Sequence, residues 1–342
     1  MRRKVRVVVP GSTSNLGPAF DLVGLAVDVY LRATVEAEGE FVMAGTGSAR
    51  WEVAWEGEGS GPTGRVPEGE ENLLVRGVQA AWAEAGLTFE GRVGITARSE
   101  IPVSRGLGSS AAAVVAGLLA GDRLADSGIG PERLIALAAS EEGHPDNAAP
   151  SVMGGLTAAA PGRGEGILVR RQRLHEDFLL AAVVPDTELS TRMAREALPS
   201  HIPHPEAVRN QQRAFFLYEA LSEGWGEELR ELTRDALHQS YRAPLIPGFE
   251  QIVDRALEEG ALAAWLSGGG PAVMILSDEG PDRLEEIGAS MQGVWREGGM
   301  ASRVLLLGPD DVGGTARAHP SSSEGGGSHL SASGLTEPGS RS

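Results

Sequence analysis

Residues 111–125 read Ala-Ala-Ala-Val-Val-Ala-Gly-Leu-Leu-Ala-Gly-Asp-Arg-Leu-Ala, a helical segment that is apolar almost all the way round. A helix with so little polar surface has to be buried in a protein core. It is not a membrane span, because the chain holds no run of about 18 apolar residues. Whatever fold the chain adopts must therefore cover this helix. Directly ahead of it, residues 101–110 (Ile-Pro-Val-Ser-Arg-Gly-Leu-Gly-Ser-Ser) read as a loop.

That loop has its own chemistry. Gly106 and Gly108 let backbone amides converge on an anion without side chains in the way. Ser109 and Ser110 stand at the start of the helix, where free N–H groups and the helix dipole favour negative charge. A serine hydroxyl there can also reach a metal ion that bridges phosphates. No Gly-Lys-Ser/Thr closes the loop, so the Walker pattern is absent. Gly-Leu-Gly alone would suit an ordinary turn equally well. The full run Pro102-Val-Ser-Arg-Gly-Leu-Gly-Ser-Ser-Ala-Ala112 makes a phosphate cradle the expectation.

Around the cradle the periodicities alternate between strand and helix. Residues 5–9 form a short β-branched run, and 31–37 alternate apolar with polar, as in a half-exposed strand. Residues 39–71, rich in Gly and Glu, suggest a hairpin with an elaborated loop. Residues 72–85 read as a helix and 92–97 as another alternating strand. Residues 131–142 read as a helix with Pro131 in its first turn. Further on, 179–184, 261–266, 272–276 and 303–307 read as strands. Residues 206–221, 227–238, 249–257 and 284–295 read as helices. The second half thus opens on a strand and continues helix, strand, strand, helix, strand. This suits an α+β layer with antiparallel pairing. From 309 onward Gly, Ser, Pro and Thr dominate with almost nothing to bury, which predicts a disordered tail over 309–342.

The chain's 342 residues, 41% of them hydrophobic, suffice for roughly two domains. With no cysteine, thiolate metal sites, disulfides and cysteine nucleophiles are excluded. The basic start leads into no apolar signal core, so a cytoplasmic location is the simplest expectation. A formal net charge of −17 disfavours nucleic acid and anionic membranes as partners. An anionic substrate would need a local island of Arg or Lys.

The run 102–112 resembles the central motif of the GHMP kinases. Three more segments narrow the resemblance to the homoserine kinase family. Pro10-Gly-Ser-Thr-Ser-Asn-Leu-Gly-Pro-Ala-Phe-Asp-Leu-Val-Gly24 is similar to that family's N-terminal signature, with Ala19 where glycine is common. Glu142-Gly-His-Pro-Asp-Asn-Ala-Ala-Pro150 is similar to a stretch in which mevalonate kinases and galactokinases differ. Leu266-Ser-Gly-Gly-Gly-Pro-Ala272 resembles the third GHMP motif. The likeness spans roughly residues 4–308. It implies an N-terminal ATP-binding domain over 1–165 of the ribosomal protein S5 domain 2-like fold, with a left-handed βαβ crossover. It implies a ferredoxin-like C-terminal domain over 166–308. Two other readings stay open: a mevalonate-type kinase, and a catalytically silent sensor of the same fold.

The resemblance also implies roles. Pro102, Val103, Ser104, Arg105, Gly106, Leu107, Gly108, Ser109, Ser110, Ala111 and Ala112 would bind ATP, with Asn72 near the nucleotide or serving as a plain helix cap. Ser110 and Glu142 would face Mg²⁺; Glu141 is adjacent but does not match the motif. L-Homoserine carries an ammonium and a carboxylate. Asp21 would take the ammonium, Asn15 the ammonium or hydroxyl end, and Thr191, Arg195 and Arg242 the carboxylate, with Arg192 a surface residue. His144 and Asn147 would bind homoserine, with Asn147 where mevalonate-type relatives place an aspartate base. Asp146 is left as either catalytic or loop-holding. His201, His204 and His238 read as surface residues. Homodimerisation is common in the family.

Overall fold

The computed structural model describes residues 2–60 and 66–319. The chain runs β1 (Arg2–Ser14), β2 (Val23–Met43), β3 (Ala49–Gly57), α1 (Leu73–Glu84), β4 (Leu87–Ser99), α2 (Ser109–Ala125), α3 (Pro131–Glu142), α4 (Ala148–Met153), β5 (Leu156–Pro161) and β6 (Ile167–Gln172). It continues β7 (Leu179–Pro185), α5 (Thr191–Glu196), α6 (His204–Glu223), α7 (Leu229–Leu232), α8 (Gln239–Arg242), α9 (Phe249–Glu258), β8 (Ala263–Leu266), β9 (Val273–Ser277), α10 (Pro281–Glu297), β10 (Ser302–Leu307) and β11 (Thr315–His319).

The first sheet runs β11-β1-β2-β4-β3, with β5 pairing the start of β2 and β6 pairing β5. α2 lies against its inner face, with Ala111–Leu118 buried. Glycine is obligatory where α2 crosses α1: a Cβ on Gly117 would sit 2.0 Å from the Leu74 carbonyl oxygen, and one on Gly77 2.3 Å from that of Val114. The all-apolar helix is thus covered by helix on one side and sheet on the other.

The second sheet runs β10-β7-β9-β8, antiparallel throughout. Counted within the unit this is strand order 4-1-3-2 on a β-α-β-β-α-β chain, the ferredoxin-like arrangement. Its far face packs on α9 and α10 through Phe249, Ile252, Ile287, Met291 and Trp295.

Several expectations need correction. Residues 39–71 are not a hairpin: β2 pairs β4, and β3 lies outside β4 and parallel to it. A parallel neighbour needs a crossover, which α1 supplies. Residues 61–65 lie outside the described residues. β1 does not stop at 9; it bulges between Pro10 and Gly11 and continues to Ser14, so the first motif begins and ends in strand around a loop over 15–22. The expected helix 227–238 ends at Leu232. The Thr233 carbonyl oxygen abuts Gly17, and the Asp235 carboxylate accepts the backbone N–H groups of Leu237, His238 and Gln239, turning the chain.

The boundary expected at 165 moves, because β6 is paired into the first sheet. The expected tail is ordered as far as His319. Asp310 accepts from the Tyr30 hydroxyl and from Val312 and Gly313 N–H, and β11 pairs with Lys4–Val8 of β1. Main-chain pairing and the acidic side chains of Asp310 and Asp311, the latter paired with Arg173, hold this segment rather than apolar burial, so its composition gives no sign of it. The remainder of that expectation, 320–342, lies outside the described residues.

Candidate active site

A cavity of ≈ 330 Å³ opens where the first motif, the cradle, residues 142–147 and the third glycine loop converge. Its size is that of a small-molecule site. Gly106 and Gly108 have φ of +84° and +71°, and close packing also requires them to be glycine. A Cβ on Gly106 would lie 2.1 Å from the Ser267 carbonyl oxygen, and one on Gly108 2.2 Å from Ser12 Oγ.

Helix α2 begins at the left-handed Gly108 with no side-chain cap bonded to its first turn. Its first-turn N–H groups are therefore available, and Gly108, Ser109 and Ser110 line the cavity. Pro102, Val103, Ser104 and Gly106 line it as well. Leu107, Ala111 and Ala112 do not; their side chains are core. The Arg105 guanidinium turns away, donating to the carbonyls of Val103, Pro185 and Asp186 and pairing with Glu188. It staples the cradle to the second sheet rather than reaching the cavity.

Ser110 Oγ donates to Glu142 Oε1, joining the start of α2 to the end of α3. Burial raises the pKa of the Glu142 carboxyl, outweighing the Ser110 hydrogen bond. A half-buried carboxylate beside a serine hydroxyl at the start of a helix fits a divalent cation among phosphates. Glu141 instead pairs with Arg76.

The other end of the cavity is polar and strongly charged. Arg195 grips Asp21 with two hydrogen bonds, Nη2 to Oδ1 at 2.8 Å and Nη1 to Oδ2 at 3.1 Å. Asp21, at φ +56°, closes a loop in which Asn15, Leu16 and Gly17 also have positive φ; Ala19 does not, so alanine is tolerated there. Asn15 is buried and engaged: Nδ2 donates to Gly268 O, and Oδ1 accepts from Asp21 N. It therefore shapes the loop that presents Asp21.

Arg242 is buried to 2% exposure and donates to the carbonyls of Ala194 and Gly268. Burial, then the like charge of Arg195, pushes its pKa down to about 10. Thr191 lines the same region. His144 Nδ1 is hydrogen-bonded to Asp146 Oδ1, which also accepts from Asn147 Nδ2. Burial alone would lower the His144 pKa, but the hydrogen bond and charge of Asp146 raise it. The Asn147 amide is held on both sides, receiving Ser12 Oγ at 2.9 Å and donating to Ser14 Oγ at 2.9 Å. Asp21, His144 and Asp146 bring ligand atoms within 4.8 Å of one another, but Arg195 already neutralises Asp21.

Every site residue expected from the sequence, apart from Arg105, Leu107, Ala111 and Ala112, lines this one cavity. Missed were an apolar wall of Trp55, Val66, Pro67 and Leu73, together with Phe20. Nothing in the spacing of Trp55 aims it at the cavity, because its strand pairs in parallel with β4 across α1 and not with its sequence neighbour β2. Asn72 serves as the cap of α1, accepting from Leu74 N and donating to Pro67 O, while bordering that wall. His238, expected at the surface, is fully buried.

A glycine cradle opening a helix whose Ser110 is bonded to Glu142, on this two-sheet frame, is the arrangement of a GHMP-type small-molecule kinase. Residues 72–155 match the GHMP kinases N terminal domain, and 217–296 match the GHMP kinases C terminal domain. The homoserine kinase of Caldanaerobacter subterraneus subsp. tengcongensis is 36% identical over 317 residues, 93% of this chain and 96% of that one. A Synechococcus homoserine kinase is 38% identical over 89% of this chain and 93% of its own. The crystal structure of homoserine kinase from Cytophaga hutchinsonii shares the fold, with a TM-score of 0.80 at 24% identity, covering 92% of this chain and 97% of that one. The chain belongs to the homoserine kinase family of GHMP kinases.

Proposed function

We propose that the chain transfers the γ-phosphoryl group of ATP to the side-chain hydroxyl of L-homoserine, giving O-phospho-L-homoserine for threonine biosynthesis. The carrying observation is the placement of Asp21, Arg195 and Arg242 around one end of a cavity whose other end is the uncapped start of α2. An amino acid is a zwitterion, and that end offers one carboxylate and two guanidiniums.

ATP phosphates lie along residues 106–110, with the nucleoside toward Trp55, Val66, Pro67 and Leu73. Ser110 and Glu142 are the residues that hold Mg²⁺, which supplies neutralisation of phosphate charge. Asp21 takes the homoserine ammonium, while Arg195 and Arg242 take its carboxylate, so the zwitterion supplies each member of the Asp21–Arg195 pair with a second counter-charge. Phosphoryl transfer depends on positioning and charge neutralisation more than on a strong base. Asn147, fixed by Ser12 and Ser14, and His144, oriented by Asp146, hold the acceptor hydroxyl in line. Asp146 is an orienting group, since its Oδ1 already serves both neighbours. The hydroxyl proton leaves to the phosphate or to water as the loose transition state develops.

No helix among the described residues is long and apolar enough to cross a membrane. The reading places the enzyme in the cytoplasm. A homodimer belongs to the same reading, by family resemblance.

The test is ³¹P NMR of a reaction with ATP and L-homoserine. A new phosphomonoester signal on the homoserine side chain is expected; ATP left intact by folded protein with Mg²⁺ and L-homoserine present would refute the assignment.

A further inference from the structure

His238 Nε2 lies 2.8 Å from the carbonyl oxygen of Gly17. A carbonyl only accepts, so Nε2 carries the hydrogen and Nδ1 presents its lone pair. That lone pair lies 3.1 Å from Arg242 Nη1, which donates to it. The ring is fully buried and stacks on Phe20, with centroids 5.2 Å apart and planes 26° apart. Phe20 also lies under the Arg242 guanidinium, 5.2 Å from Cζ.

Burial holds the imidazole toward its neutral form, although Asp235 Oδ2 stands 3.7 Å from Nε2. A protonated ring would turn a second N–H toward Arg242 Nη1. With Nε donating to Ala194 O and Nη1 to Gly268 O and His238, no described residue accepts from Nη2. A buried arginine whose fork is pinned on all but one nitrogen is a preorganised carboxylate ligand.

We propose that His238 is a positioning residue for the substrate carboxylate: its neutral imidazole ties Arg242 to the Gly17 loop and aims the remaining guanidinium nitrogen at the bound amino acid. This rests on the reading of Arg242 as a carboxylate ligand. His238 itself touches neither ATP nor the reacting hydroxyl, so its effect falls on acceptor binding.

The test is steady-state kinetics of His238→Phe, His238→Asn, Arg242→Ala and the His238→Phe/Arg242→Ala double variant in the full-length enzyme, each with a thermal melt. His238→Phe keeps the stacking and removes the acceptor. It is expected to raise the homoserine KM about tenfold, with kcat and the ATP KM within about twofold of wild type. His238→Asn can place Oδ1 where Nδ1 stands, and is expected to restore most of the affinity. In the Arg242→Ala background His238→Phe should add nothing further.

An unchanged homoserine KM, an equal loss with and without Arg242, or a parallel rise in the ATP KM would overturn the proposal. If His238→Phe does not melt cooperatively, His238→Gln replaces it, since its amide reaches Gly17 but offers Arg242 no acceptor at the Nδ1 position. Gln behaving like Asn would then overturn the proposal. Arg242→Ala with an unchanged homoserine KM would instead refute the carboxylate reading beneath it.

Discussion

Asp21 and Arg195, 174 positions apart in sequence, meet in a two-point ion pair at the mouth of the cavity. The two groups are about one-third exposed, 32% and 37%, so water screens the pair and its worth to stability is small. In the proposed function its value is the juxtaposition of opposite charges that the ammonium and carboxylate of an amino acid would engage.

Replacing Arg195 with Ala should therefore act on substrate affinity rather than on folding. A charge-assisted hydrogen bond is worth about 1.5–3 kcal/mol, so the homoserine KM should rise roughly 10- to 150-fold. The ATP KM should stay near wild type, and Arg195→Lys should recover only part of the loss because lysine lacks the fork. Initial-rate kinetics with each substrate varied in turn checks this. A rise confined to the ATP KM would contradict it.

Glu142→Gln should separate activity from stability. The folded-state pKa of Glu142 is raised by burial, so its ionisation costs stability as pH rises past the ordinary carboxylate range. Gln can still accept from Ser110 but cannot ionise. The variant should melt at or above the wild-type temperature at pH 7 in chelator, while its turnover collapses and excess Mg²⁺ no longer restores it. Differential scanning calorimetry with and without Mg²⁺ reads the first part, and turnover against Mg²⁺ concentration the second.

The His144–Asp146 pair makes a pH prediction of the same sign, this time because the protonated form is the paired one. The His144 pKa is raised, so the pair's contribution to stability is complete below about pH 6.5, the ordinary histidine value, and is lost as pH rises through the folded-state pKa. An NMR titration of the imidazole should find its midpoint above the ordinary value, and Asp146→Asn should lower it. An unmoved midpoint in the variant would show that Asp146 does not set the charge of His144.

Much of the site was legible because its chemistry sits in short, contiguous runs. Residues 10–24, 102–112, 142–150 and 266–272 each carry their own glycines and polar groups, and the fold only has to bring the loops together. What escaped depended on long-range pairing. The place of β3 was set by a parallel partner across α1, so the apolar wall at Trp55 could not be aimed. His238 read as a surface histidine because its burial comes from Phe20 and Gly17, some two hundred residues earlier. The strand β11 has a polar sequence, and only the free edge of β1 makes it a strand.

That last strand gives a prediction away from the site. Asp310→Ala strips an acceptor from the Tyr30 hydroxyl and from two backbone N–H groups. It should lower stability by about 1–3 kcal/mol while leaving both KM values unchanged. Urea denaturation alongside kinetics decides it; unaltered stability would mean that the segment is not held through Asp310.

The central claim is that this cavity selects an amino-acid alcohol as phosphoryl acceptor, and an acceptor screen tests it most directly. ADP release is followed with ATP and Mg²⁺ in the presence of L-homoserine, mevalonate or galactose. Rapid ADP release with L-homoserine alone is the predicted result. Turnover with mevalonate or galactose and none with L-homoserine would contradict the account.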